Sequence, residues 1–182
     1  MNNGYLKPIG SDVTFTKLTV YHTKEFTIRA FKKQLRGRLG FDINTDALKI
    51  YQLAFIHGSS NLQDRKGHPL NFERLEFLGD AIINMIVIEV IYKRYRSASI
   101  QEVSELKSQL NTRNNLNQIG KKMKLLELIQ TGESAPKFGV DIHGNLLESL
   151  IGAVFIDQGF QKSKECYLNL LEKYSSIPLV LN

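Results

Sequence analysis

Three acids crowd one short stretch of the chain, Asn71-Phe72-Glu73-Arg74-Leu75-Glu76-Phe77-Leu78-Gly79-Asp80-Ala81. On a helix, Glu73, Glu76 and Asp80 fall at i, i+3 and i+7 and their carboxylates share a face. Like charges at that spacing oppose the helix by roughly 0.2–0.5 kcal/mol per pair. Downstream the segment turns almost wholly apolar, so its acids sit at the mouth of a buried helix and call for a compensating cation. A second group lies in Gly144-Asn145-Leu146-Leu147-Glu148-Ser149-Leu150-Ile151-Gly152. Asn145 and Glu148 are one turn apart, Leu147, Leu150, Ile151 and Val154 point to the core, and Gly152 admits a neighbouring helix at close range. If the two helices pack together, Glu76, Asp80, Asn145 and Glu148 converge as oxygen ligands. Such a set suits magnesium, which keeps waters for substrate phosphates.

The same spacing has an ordinary reading. Surface acids often form a solvated face with local ion pairs, here to Arg74, Lys93 or Arg94. Asn145 stands where a helix begins, and asparagine is a favoured N-cap. Geometry alone leaves both readings open.

The elements that must position these residues are helical throughout. Ile28, Phe31, Leu35 and Leu39 recur at helical spacing with Lys32, Lys33, Arg36 and Arg38 between them, giving an amphipathic helix with a basic outer face. A short helix is expected over Ala47 to His57, a polar stretch over Gly58 to Pro69, and the longest helix over Asn71 to Arg96. Ser99 and Glu102 have the form of a capping box opening a helix to Leu110. Asn114 to Lys122 continues the pattern, ended or interrupted near Gly120. Thr131 to Gly144 reads as a loop. Asn145 to Gln158 is a second apolar helix closed by Gly159, and Gln161 to Tyr174 a last amphipathic one. Alternating strand patterns are absent, so the expected fold is all-α, in one domain.

The chain has 182 residues, 24 Lys plus Arg against 18 acids, a net charge of +6 and a pI near 9.4. That excess is compatible with a polyanionic partner. The single cysteine, Cys166, excludes an internal disulfide and leaves no paired thiols for a zinc site. The first residues carry no secretory signal, and the apolar run Ala81 to Tyr92 is too short to span a bilayer. A cytoplasmic location without membrane attachment is expected.

The nine residues Glu73 to Ala81 resemble the ribonuclease III signature at every position. Leu53-Ala54-Phe55-Ile56-His57-Gly58-Ser59 is similar to that family's upstream element. Leu106 to Leu110 with Arg113 resembles its middle helices, and Glu148 to Asp157 its second conserved block. The resemblance runs from about Phe26 to Tyr174. It implies a nuclease domain over residues 26–174, an extension over 1–25, and a tail or linker start over 175–182.

What the resemblance further implies is an all-helical homodimer hydrolysing double-stranded RNA to 5′-phosphate and 3′-hydroxyl ends, with ribosomal and messenger RNA precursors as substrates. Glu76 and Glu148 would ligate magnesium directly, manganese being able to substitute, and Asp80 would complete the inner cluster; Asp80 and Glu148 carry the catalytic role. Glu73 would belong to an outer acidic site, and Phe77 to the dimer interface, unless it is an ordinary core residue. Lys32, Lys33, Arg36, Lys107, Arg113, Lys121 and Lys122 are candidate phosphate contacts, with Lys107 and Arg113 carried forward as RNA-binding residues.

Asn145 departs from the family, which usually has aspartate there. An amide oxygen still ligates magnesium, with one charge fewer. Three explanations stand: Asn145 serves as a neutral ligand or holds a metal-bound water; Asp141 substitutes for it; or the site has become a double-stranded RNA-binding surface without cleavage. Family members commonly carry a C-terminal double-stranded RNA-binding domain; either these 182 residues are a piece of a longer chain or the nuclease domain stands alone, in which case fewer contacts are expected to weaken its hold on RNA.

Overall fold

The computed structural model describes residues 19–20, 28–132 and 136–177. The expected extension over 1–25 lies outside them apart from residues 19–20. Among the described residues six α-helices form: α1 (Ile28–Leu39), α2 (Leu48–Leu53), α3 (Glu73–Arg94), α4 (Ile100–Leu110), α5 (Arg113–Lys122) and α6 (Ile142–Tyr174).

Helices α3, α4 and α5 begin where a side chain satisfies a free amide. Ser99 accepts from the Glu102 amide while Glu102 accepts from the Ser99 amide, completing the expected capping box at α4. Thr112 caps α5 through the Asn115 amide. Asn71 accepts from the Glu73 amide at 3.1 Å and so covers the start of α3.

Helices α3 and α6 form the centre. Ile82, Ile83, Ile86, Val87, Val90 and Ile91 of α3 are buried, as are Leu146, Leu147, Leu150, Ile151, Ala153 and Val154 of α6. Each such Val, Leu or Ile side chain contributes about 1.5–3 kcal/mol on burial. Phe31 of α1 closes the core edge-on against Phe55, at 6.0 Å between ring centres.

The two axes approach closely because each offers a glycine at the crossing. A Cβ on Gly79 would overlap the Glu148 carbonyl, and one on Gly152 would overlap the Leu75 carbonyl. No helix is long and apolar enough to cross a membrane among the described residues.

Several boundaries differ from expectation. The helix expected over Ala47 to His57 stops at Leu53, because Ile56 leaves it to bridge Gln130 and His57 turns extended to cap the 3-10 turn Gly58–Ser60. The fold is mostly helical, yet β1 (Thr19–Val20) pairs antiparallel with β2 (Gln130–Thr131). Two-residue strands carry too little alternation to be read from sequence. Gly120 neither ends nor interrupts α5; it lets the helix pass against the His143 backbone. Helix α6 starts at Ile142, shortening the expected loop. Gly159, at φ +76°, breaks its backbone as expected of a terminating glycine, but the chain resumes helix at once, so the two expected helices lie end to end across a kink.

Candidate active site

The close crossing of α3 and α6 sets the carboxylates of both helices in one electrostatic neighbourhood. Glu148 is 1% exposed. Burial pushes its carboxyl up to about 7; Arg113 opposes this, and the charges of Asp80 and Glu76 add to it. Glu76 is half-buried and shifted upward as well, first by burial, then against Arg113 and with Glu73 and Asp80. The charges of Asp80 and Glu76 on α3 thus reach Glu148 on α6 across the helix pair.

Asp80 is exposed and held differently. The Asn84 side-chain amide donates to Asp80 Oδ1 at 3.1 Å and to its carbonyl at 2.9 Å. The Asn111 amide donates in turn to Asn84 Oδ1 at 2.9 Å. This relay ties the acid to the end of α4. Sequence reasoning missed Asn84 and Asn111, although Asn84 sits one turn beyond Asp80 on the acidic face, a readable signal.

Asn145 is no N-cap. It lies in the first turn of α6, where its backbone amide already bonds the Asp141 carbonyl at 3.0 Å, leaving its side chain to face Arg113. Arg113 Nη1 donates to Glu148 Oε2 at 2.8 Å and to Asn145 Oδ1 at 3.2 Å. Burial lowers the guanidinium's affinity for its proton, but the hydrogen bond and charge of Glu148 outweigh that, so the net shift is upward. Asp141 sits just outside the helix, its carboxylate accepting from Asn117 at 2.9 Å and acting on the site through its field at Arg113.

The remaining sequence candidates scatter. Glu73 is exposed near Gly58, in the His57 neighbourhood, and burial lowers the affinity of His57 for its proton while Glu73 opposes that. Phe77 is 81% exposed, so it is not a core residue of this chain. Lys32 bonds Thr45, Arg36 pairs with Asp42 at 3.3 Å, and Lys122 bonds the Tyr174 carbonyl at 2.7 Å. Lys33 and Lys121 are exposed, and Lys107 is half-buried on α4.

Whether a divalent cation suits the site turns on its donors. Glu76, Asp80, Asn145 and Glu148 all offer hard oxygen, as magnesium and manganese prefer. Glu148 Oε1 is buried without a hydrogen-bond partner, an arrangement that costs about 1–3 kcal/mol or more and that a cation would relieve. Among the described residues, however, no three His, Cys, Asp or Glu side chains are drawn close enough to form a metal cage. The donor chemistry fits; the ligands are not yet gathered, and a guanidinium stands on two of them.

A helical domain built on the α3–α6 pair has been solved before. The nuclease domain of ribonuclease III from Campylobacter jejuni aligns with a TM-score of 0.67 and 26% identity, over 80% of this chain and 99% of that one. Residues 48–174 match the Ribonuclease-III-like family, and the chain belongs to that family. The ribonuclease 3 of Zunongwangia profunda is 34% identical over 148 residues, which is 81% of this chain and 60% of that protein. That of Flavobacterium psychrophilum is 34% identical over 131 residues, 71% of this chain and 52% of that protein. The chain thus spans between half and two thirds of the length of these two relatives.

Proposed function

We propose that this chain is a divalent-metal-dependent endoribonuclease domain that hydrolyses double-stranded RNA to 5′-phosphate and 3′-hydroxyl ends, acting in the cytoplasm on structured ribosomal and messenger RNA precursors. One observation carries the reading: Glu148, buried with an unpartnered oxygen, faces the field of Glu76 and Asp80 at a glycine-mediated helix crossing. Burying a carboxylate among other acids is costly without a functional return.

In this reading Glu76, Asp80, Asn145 and Glu148 hold magnesium, or manganese in its place. The chemistry a divalent cation brings to such a site is charge stabilisation of a phosphodiester and activation of water. The chain's own contribution is positional. The Gly79–Gly152 crossing sets the spacing of the two acidic turns, and the Asn111–Asn84 relay aims Asp80. Asp80 and Glu148 carry the catalytic role, and Glu73 belongs to an outer acidic site. Lys107 and Arg113 meet the phosphate backbone, since A-form RNA presents phosphates and 2′-hydroxyls rather than readable base edges. Phe77, exposed on α3, is the anchor of a homodimer that places two such sites along one duplex. The nuclease domain is assigned to 26–174, with 1–25 an extension and 175–182 a tail.

Long duplex RNA incubated with the purified protein and magnesium is expected to give short products bearing 5′-phosphates, with EDTA or Glu148→Gln abolishing them. Intact duplex at every magnesium and manganese concentration overturns the enzyme reading. One observation favours a second reading: Arg113 and Asn145 together lower the pull of the site on a metal, as in a protein that grips duplex RNA without cutting it. That reading expects salt-dependent duplex binding unchanged by Glu148→Gln.

A further inference from the structure

We infer that Arg113 is the site's built-in counter-cation, occupying Glu148 and Asn145 in the absence of a metal and competing with one for them. The inference rests on the metal-nuclease reading above and concerns how the site loads.

A single nitrogen, Nη1, bridges the two oxygens that α6 offers to a ligand, Glu148 Oε2 and Asn145 Oδ1. Charge-assisted bonds of this kind are the stronger class. Arg113 is also in an unfavourable place for a cation, being the first residue of α5, where the helix dipole is positive. The acids must therefore hold it there. Glu76 and Asp141 add their fields to that of Glu148, so the guanidinium sits in the negative potential that would draw a divalent ion.

The base of Arg113 is fixed while its tip is not. Thr112 caps α5, and Asn117 ties the helix to the α6 start through Asp141 Oδ1 and the Gly144 amide at 2.8 Å. The Arg113 side chain itself is 52% exposed, which leaves an open path outward. A guanidinium displaced from Glu148 remains anchored at the rim, five donors free for a phosphate oxygen. Asparagine at 145 fits this arrangement, because a neutral amide releases the guanidinium more readily than a second carboxylate would.

The test is calorimetric titration of manganese into EDTA-stripped, desalted protein, with thermal melts in parallel. Arg113→Ala is expected to bind manganese at least tenfold more tightly than the parent chain, with Arg113→Lys between them. Without metal, Arg113→Ala should melt at lower temperature; saturating manganese should close most of that gap, because the ion replaces the lost cation. A variant that folds only with manganese supports the same competition more strongly still. Should Arg113→Ala fold under neither condition, Arg113→Lys and Arg113→Gln carry the comparison. Equal or weaker manganese binding by the variants, while the parent chain binds, overturns the inference and leaves the nuclease reading standing. Absence of binding by every form overturns the metal reading itself, and the inference with it.

Discussion

The two halves of the acidic cluster solve the same electrostatic problem in opposite ways. On α3, Asp80 keeps its carboxylate in water and fixes its direction with neutral amides from Asn84 and Asn111. On α6, Glu148 is taken out of water and stabilised by a charged partner, Arg113. The first arrangement costs little and aims a ligand. The second stores repulsion and desolvation that a stronger cation would release.

Removing the boundary between the halves should have the largest effect. Gly79→Val would drive a side chain into the Glu148 carbonyl, and a loss of about 3 kcal/mol or more, or failure to fold, is expected by urea denaturation. Only a change below about 1 kcal/mol would show that the helices can part freely.

Neutralising the buried half comes next. The folded-state pKa of Glu148 lies above its ordinary value, so its contribution is fully favourable below about pH 4.5 and is lost as pH rises through about 7. Without metal, stability should fall across that window by about 3 kcal/mol in the parent chain, and Glu148→Gln should flatten the profile. A Glu148→Gln profile as steep as the parent's would move the titration to another group.

The exposed half should behave otherwise. Asp80→Asn retains an acceptor for Asn84 and is expected to shift stability by less than about 0.5 kcal/mol, while lowering cleavage of duplex RNA at least tenfold. Equal stability losses at Asp80 and Glu148 would erase the contrast between the two halves. Smallest for the isolated subunit is Phe77→Ala, whose melting temperature should stay near that of the parent at low concentration. An 81% exposed ring adds little to its own core, but if Phe77 anchors the proposed homodimer, sedimentation of the variant should move toward the monomer.

Much of this was visible in the residues themselves. The 3.6-residue spacing of apolar side chains marks α1, long apolar segments mark α3 and the first part of α6, and Ser99 with Glu102 locates the start of α4 to the residue. The family resemblance of Glu73 to Ala81 pointed to the right fold. What stayed hidden depends on tertiary contact. Ile56 leaves the helical pattern only because Gln130 arrives beside it, and Gly120 resembles a helix breaker until the His143 backbone is seen against it. Asn145 has a cap's composition, but the helix begins three residues earlier and turns that side chain toward Arg113. The pairing of Arg113 with Glu148 spans 35 positions, and no local pattern encodes it.

Helix α5 is pinned at both ends, and this has a mechanical meaning. Near its start, Asn115 donates to the Leu110 carbonyl and accepts from Ser175, the residue just past α6. At its far end Lys122 grips the Tyr174 carbonyl. Ten residues of helix make a stiff strut about 15 Å long. Tension applied just beyond Tyr174 would therefore pass into α5, the helix whose first residue is Arg113, through Ser175 and Lys122.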